Sequence, residues 1–479
     1  MKNETKGVET LLGNPKKAVI AMAVPITVGM IAQSANNLID SVWVAGLGTN
    51  ALAAVGFVFP LFFILIGVGN GIGVGASSAI ARQIGRGDKD SAEKAMAEAV
   101  VLTVIGGLAA MILLLIFQRD ILALLGAADT LDMCVEYGTP IFLCTVLLLL
   151  NGLLSNLLRS EGAAKRSMMT QIAAAIINII LDPFFIYSDV ASEVFNIDLG
   201  FSVGLGLGMA GAAWATIIAI AVSFMMMLYW YFAKRDTFLT FRKKYLGLEK
   251  DTVTDILRVG IPASLEMIVM SIFSMFMNVI IAMSEMGTDG VAVYSSDWRL
   301  INLLMIPLMA IGAAVVPVFA AAYGARRIDK MKTAYMYSIK ICLVLMILIG
   351  AVSMLCADFM VMIFTYSDST AGLRDQMALA LRIVILFLPF ASWGFVAGGF
   401  FQAMGMGAKS LICTVLRNGL QLPASYILVT TVGTFISIIW GLTAMEIIGS
   451  IFAGAWSYLL LKGIMKRFVL PDAGVPGES

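Results

Sequence analysis

"MAVPITVGMIAQSANNLIDSVWVAGLG", residues 22–48, decides the fold. It is a predominantly apolar run that begins beside Lys16 and Lys17 and closes on Gly46-Leu47-Gly48 without a basic residue, long enough to cross a bilayer as a helix. Within it, Gln33, Asn36, Asn37 and Asp40 recur at i, i+3, i+4 and i+7, so a helix gathers them on one face. A carboxylate in a membrane helix costs roughly 2.5 to 3.5 kcal/mol on insertion scales and ordinarily faces a cavity with a task to perform. Asp40 is therefore the first candidate for function, with Gln33, Asn36 and Asn37 as candidate lining of a substrate cavity. The plainer reading is that Asp40 only reaches water at the outer end of its helix.

The remainder of the chain has the same character. Of its 479 residues 60% are hydrophobic and 13% charged, against about 45 to 50% and 25% in soluble domains. Twelve apolar segments are expected to be helices, at about 18–46, 52–81, 95–117, 132–157, 168–188, 208–233, 253–283, 290–320, 333–364, 376–404, 410–432 and 436–463. The class is an all-α polytopic membrane protein, since segments of this length exclude a β-barrel. The first segment exceeds a signal-peptide core and lacks a small-residue cleavage pattern, so it is expected to remain as helix 1. With no histidine, a His relay, a His-ligated metal or haem, and a Ser-His-Asp hydrolase are excluded. The five cysteines lack metal-ligand spacing and read as packing residues; no cofactor and no enzymatic activity are expected.

Charge sets the orientation. Of 32 Lys and Arg, 27 fall in the N-terminus, every second loop and the C-terminus, whereas the opposite set holds only Arg119, Arg299, Arg374 and Arg382, and Arg417 lies inside helix 11. By the positive-inside rule both termini are cytoplasmic, as is the basic linker 234–252, read as a solvated topogenic loop between an N-terminal bundle (1–233) and a C-terminal bundle with its short tail (253–479). The external connection 188–207 is acidic and Gly-rich, and reads as a flexible cap.

The halves repeat. "VPITVGM…GLGTNALAAVG" at 24–56 is echoed by "IPASLEM…EMGTDGVAVYS" at 261–295, and Pro25/Pro262, Gly48/Gly287, Gly73/Gly312, Gly85/Gly324 and Pro183/Pro423 are offset by 237 to 240 residues. Six helices per repeat give both copies the same orientation, hence two six-helix bundles related by a pseudo-twofold axis along the membrane normal, an arrangement suited to alternating access.

Helix 5 carries Gln171, Asn178 and Asp182 along one face, with Pro183 following. Asp182 and Asp40 lie at comparable depth and are expected to share a chamber, where burial and like charge disfavour ionising both, so that the pair holds a proton reversibly. The plainer alternative is that Asp182 bonds backbone loosened by Pro183. The second half lacks these acids: Leu422 precedes Pro423, and Asn278 stands near the counterpart of Asp40. Its own polar features are Ser264, Ser271, Ser274 and Asn278 on helix 7, with Glu266 nearly opposite, and Arg417, Gln421 and Ser425 along helix 11. Glu266, Asn278 and Arg417 are further candidate lining of the substrate cavity, though Glu266 reads equally as structural and Arg417 as snorkelling.

Pro25, Asn37, Asp40 and "GLGTNALAAVG", "ARQIGRGDKDSAEKA" after helix 2, "LRSEGAAK" before helix 5, "NIILDPFFIY" from Asn178, and "GMAGAAWAT" ending at Thr216 resemble the multidrug and toxic compound extrusion (MATE) family over nearly the whole chain. The resemblance is closer to its archaeal and DinF-like branch than to its NorM-like branch. It implies a twelve-helix, V-shaped exporter of the cell membrane that expels small organic cations in exchange for H+ or Na+. It further implies an ion-coupling site, proton or Na+, at the positions matching Asp40, Asn178, Asp182 and Thr216, and bending at Pro25. Glu266 matches a helix 7 acid of the NorM-like branch, but helix 10 lacks the acid that accompanies it there. The chain is expected to act as a monomer, with the bilayer and organic cations as its partners and no nucleic acid.

Two rivals stand beside this. A MurJ-like or polysaccharide-exporter flippase of lipid-linked cargo resembles the same fold, but calls for a strongly basic cavity and additional helices. An intramembrane aspartyl protease needs "YD" and "GxGD" contexts, where this chain has "LIDS" and "NIILDPF".

Overall fold

Each of the twelve apolar segments is helical. The structure is a computed structural model that describes residues 5–127, 130–194, 202–365 and 371–469, and among these there is no strand. The first half contains α1 (Lys6–Leu12), α2 (Pro15–Ala45), α3 (Thr49–Arg86), α4 (Lys89–Leu124), α5 (Leu131–Leu143), α6 (Thr145–Ser160), α7 (Ala164–Ile186), α8 (Val190–Glu193) and α9 (Gly208–Leu228). The second contains α10 (Lys250–Ala282), α11 (Gly287–Gly324), α12 (Ile328–Leu355), α13 (Ala357–Val361), α14 (Arg374–Ile385), α15 (Leu388–Ala403), α16 (Gly407–Gly419), α17 (Gln421–Thr431) and α18 (Phe435–Val469).

Among the described residues nine helices are long and apolar enough to cross a membrane, and two bent pairs, α5–α6 at 54° and α14–α15 at 49°, raise the number to eleven. The pair α16–α17 occupies the one expected segment left over, 410–432. Two of these breaks have a covalent cause. Pro389 and Pro423 have no N–H for the carbonyls of Ile385 and Gly419, the residues on which α14 and α16 end. At the α5–α6 break the Thr145 hydroxyl donates to the carbonyl of Phe142 at 2.7 Å. Pro25 leaves α2 continuous.

The described residues form two compact units. The first holds the chain up to Glu9, Val28–Ile80 and Asp88–Met267; the second holds Thr10–Thr27, Ala81–Gly87 and the chain from Ile268 onward. The division therefore cuts α2 just after Pro25 and also cuts α3 and α10, helices of 31 to 38 residues that exceed the roughly 20 needed to span a bilayer. The core of the first unit gathers Val58, Leu122, Tyr137, Phe142, Ile186 and Met209, all buried. That of the second is aromatic: Phe319, Tyr335, Phe400 and Phe401 pack edge to face or tilted, and the Tyr335 hydroxyl hydrogen bonds with Ser457 at 2.7 Å.

The linker 234–252 is not a freely solvated loop but part of the first unit. Three carboxylates almost wholly withdrawn from solvent hold its backbone: Glu161 accepts from the amides of Phe238 and Leu239 (2.9 and 3.1 Å), Glu93 from Thr240 (3.2 Å) and Glu98 from Glu249 (3.2 Å). Burial pushes the Glu161 carboxyl up to about 7. Asp236 is also partly desolvated, but Lys234 and Arg166 hold it below the usual carboxylate range.

The external connection is likewise anchored where it is described. Leu205, Gly206 and Leu207 donate backbone hydrogen bonds to the carbonyls of Phe184, Tyr187 and Phe185 at 2.8 to 2.9 Å. Residues 195–201 of that loop and 470–479 of the tail lie outside the described residues.

Candidate functional site

The site is built on α7. Asn178 and Asp182 are one turn apart on the same face, 2% and 0% exposed. Pro183 follows within the helix and has no N–H to offer the carbonyl of Ile179. Helix α9 approaches closely because Gly211 has no Cβ where one would collide with the carbonyl of Phe185. That approach carries Thr216 to the Asn178 side chain. At the other end Tyr187 donates to the Trp43 carbonyl at 2.7 Å, pinning the end of α2 to the end of α7.

Three helices thus feed one hydrogen-bond chain. Asn36 Nδ2 donates to Asn178 Oδ1 at 2.7 Å, and Asn178 Nδ2 donates to Asp182 Oδ1 at 2.7 Å and to Thr216 Oγ1 at 3.4 Å. The Thr216 hydroxyl spends its proton on the Ala212 carbonyl at 3.1 Å, so toward Asn178 it is an acceptor. The carboxyl groups of Asp40 and Asp182 lie within hydrogen-bonding reach of each other. An ionised carboxylate has no donor, so a hydrogen bond between the two acids would need a proton on one of them.

The oxygens left over are Asn36 Oδ1, Asp40 Oδ1 and Asp182 Oδ2, each buried and without a hydrogen-bond donor among the described residues. Unsatisfied buried acceptors of this kind cost about 1 to 3 kcal/mol each, and a bound cation removes that cost. No three acidic, Cys or His side chains converge among the described residues. A metal ion held here would be held by a mixed set of carboxylate, amide and hydroxyl oxygens, a donor set that suits a hard ion such as Na+ as well as it suits a proton. Tyr137 of α5, buried, is near enough to both acids to feel their charge.

The polar face read on α2 divides. Asn36 and Asp40 turn into the cluster, while Gln33 and Asn37 are exposed and bond each other at 3.2 Å. Asn36, expected in a substrate cavity, is hydrogen-bonded into the cluster of Asn178 and Asp182. Glu266 lies in the stretch of α10 that belongs to the first unit, and Asn278 in the stretch that belongs to the second. Arg417 does not snorkel. Its Nε is 3.3 Å from Glu446 Oε1 on α18, and its guanidinium lies 5.4 Å from the centre of the Phe395 ring. Glu446 itself was not singled out from the sequence. Nor was Asp297 on α11, 3% exposed, whose two oxygens have no hydrogen-bond donor among the described residues.

The MatE family pattern matches residues 25–184 and, a second time, residues 262–427, more than half of the chain and both of its repeats. The chain belongs to the MatE family. Among the similar proteins of this MatE transporter are the multidrug export protein MepA of Staphylococcus aureus, 26% identical over 456 residues and covering 93% of this chain and 94% of that one, and MepA of Staphylococcus saprophyticus, 25% identical over 453 residues with the same coverage. Among solved structures, a MOP superfamily transporter from Pyrococcus furiosus is 34% identical, with a TM-score of 0.89 over 96% of this chain and 99% of that one. Structures of MATE in the straight and in the bent conformation are also 34% identical with TM-scores of 0.89, covering 96% and 97% of this chain.

Proposed function

We propose that this MatE protein is a secondary active multidrug efflux antiporter of the cell membrane, exporting small organic cations in exchange for H+ or Na+ by alternating access. The observation that carries the reading is the contact between Asp40 and Asp182 at the end of the Asn36–Asn178–Asp182 chain, inside membrane-spanning helices. The names of the MepA relatives support the substrate class. The existence of straight and bent MATE structures supports a conformational cycle.

In the proposed cycle the outward-facing carboxyl pair takes up a proton or Na+ and loses its net negative charge. Helix α2 then rearranges near Pro25, where one backbone bond is missing and where α2 passes from one compact unit to the other. The cationic substrate leaves as its counter-charge is withdrawn. Ion and substrate need not touch, because it suffices that they favour different states. Both termini are placed in the cytoplasm and the monomer is taken as the working form.

Efflux of a cationic dye from proteoliposomes, under an imposed pH gradient and separately under an imposed Na+ gradient, tests the reading. Gradient-driven flux in the wild type that disappears in Asp40→Asn is the expected result, and the effective gradient names the ion. Undiminished flux in Asp40→Asn would move the coupling site elsewhere. Absence of flux under either gradient would transfer the protein to a lipid-linked or metabolite cargo.

A further inference from the structure

The exposed stripe of α9 ends in a cation. Val222, Met225, Tyr229 and Phe232 recur at i, i+3, i+7 and i+10 and are all exposed, whereas Ser223, Met227 and Trp230 between them are buried. On a helix long enough to cross a bilayer, such a stripe is what lipid tails cover. The apolar span that carries it runs to Lys234, so Arg235 is the first residue beyond the span, at the level of the lipid headgroups.

Arg235 is held there in an uncommon way. Its φ of 51° lies in the left-handed region, which Gly enters freely and other L-residues enter only at a steric cost. In this conformation its Nε donates to the carbonyl of Phe232 at 3.1 Å, which folds the guanidinium back over the last residue of the stripe. That is its one hydrogen bond among the described residues, so the two terminal nitrogens of the fork are open. The neighbouring cations are matched, because Asp236 takes both Lys234, at 3.1 Å, and Arg166, at 2.7 Å. Arg235 is exposed and has no acid within ion-pair distance among the described residues. The linker then returns to the same place. The ring of Phe241 lies 5.9 Å from that of Phe232, and three residues further on Lys244 is exposed, its ammonium over the ring of Tyr245 rather than on a carboxylate.

Arg326 supplies the contrast. It is the other non-glycine residue with positive φ among the described residues, at 53°, and it too follows a long helix. Residues 314–321 of that helix, α11, are all buried, so no exposed apolar stripe leads up to Arg326.

We propose that Arg235 is the phosphate anchor of an anionic-phospholipid site at the end of α9, with an acyl chain along Met225, Tyr229 and Phe232 and with Lys244 adding charge. The flat fork of a guanidinium matches phosphate oxygens. Since no acid offsets Arg235, a headgroup of net negative charge completes it, whereas a zwitterionic headgroup brings an ammonium of its own. Glu161, Glu93 and Glu98, which grip the linker backbone, hold the second half of this surface in place.

The test is native mass spectrometry of the full-length protein released from nanodiscs made of equal parts phosphatidylcholine and phosphatidylglycerol, counting the lipids it retains. Arg235→Gly removes the side chain and suits the left-handed backbone, so this variant is expected to unfold at or above the wild-type temperature in phosphatidylcholine alone. The wild type should retain phosphatidylglycerol in about fivefold excess over phosphatidylcholine. Arg235→Gly should lower that excess about threefold or more, and Arg326→Gly, the same change of charge and conformation without a stripe, should leave it as in the wild type. An equal loss in Arg326→Gly would show that net charge alone draws the lipid, and would overturn the site. So would a wild type without the excess, or an Arg235→Gly variant that keeps it. Displacement of the retained phosphatidylglycerol by inorganic phosphate would make Arg235 a soluble-anion site and overturn the lipid assignment.

Discussion

Asn36 on α2 donates to Asn178 on α7 at 2.7 Å, across 142 residues of sequence, and so decides which way the Asn178 amide points. With Oδ1 occupied by Asn36, Asn178 turns Nδ2 toward Asp182 and Thr216. Asn36→Ala removes that direction and leaves a buried acceptor unpaired, at a cost of roughly 1 to 3 kcal/mol. Gradient-driven dye flux should fall severely in Asn36→Ala. In Asn37→Ala, whose side chain meets only Gln33 at the surface, it should stay near wild type. The reverse ranking would show that the exposed pair is the working one.

A proton shared between the neighbouring carboxyls of Asp40 and Asp182 would have a spectroscopic signature. In Na+-free buffer near neutral pH, infrared difference spectra of the protein in lipid should contain the C=O stretch of a protonated carboxylic acid. Asp182→Asn should remove the share of that band owed to the pair, because an amide neighbour lets Asp40 ionise, while the share of Glu161, half protonated near pH 7, remains. A band of undiminished intensity in both Asp40→Asn and Asp182→Asn would assign all of it to other buried acids, Glu161 and Asp297 among them.

How much of this was legible in the sequence follows from what kind of force places each residue. The apolar runs and the Lys/Arg asymmetry are one-dimensional signals, and they located all twelve helical segments. Asp40, Asn178 and Asp182 were legible because a polar group in an oily helix needs a reason. The same logic applies to Glu446 and Asp297, and they escaped only because no companion acid or amide at helical spacing drew attention to them. The choice between Asn36 and Asn37 was not legible. Adjacent residues point about 100° apart on a helix, and which of them turns inward depends on the azimuth of α2 against α7. The docking of the linker on Glu161, Glu93 and Glu98 was equally hidden, since backbone amides bonded to distant carboxylates leave no pattern in either segment.

Glu161 gives the linker a pH dependence with a defined sign. Its carboxyl ionises near 4.5 in an unfolded chain and at about 7 in the fold, because burial opposes the charge. The folded state therefore binds the proton more tightly, and this group penalises folding progressively as pH rises from about 4.5 to about 7, with the full penalty above. Glu161→Gln keeps an acceptor oxygen for Phe238 and Leu239 and removes the titration. Its thermal unfolding midpoint should exceed that of the wild type at about pH 8 and match it at about pH 4. An unchanged difference at both pH values would show that Glu161 does not control the linker.

Gly211 separates the geometry of the site from its chemistry. It carries no functional group, yet a methyl group there would run into the carbonyl of Phe185, and backbone at the end of a helix cannot rotate aside as a side chain does. Gly211→Ala should force α9 away from α7, at a cost of about 1 to 3 kcal/mol in stability. The Asn178–Thr216 bond, already the longest in the cluster at 3.4 Å, is the first to break. Coupled flux should then fall although Asp40, Asn178, Asp182 and Thr216 are all present. Gly56→Ala, a change into open space on α3, serves as the control and should leave both stability and flux unaltered. If Gly211→Ala lowers the unfolding midpoint while leaving gradient-driven flux intact, Thr216 is dispensable and the cluster reduces to the two asparagines and the carboxyl pair.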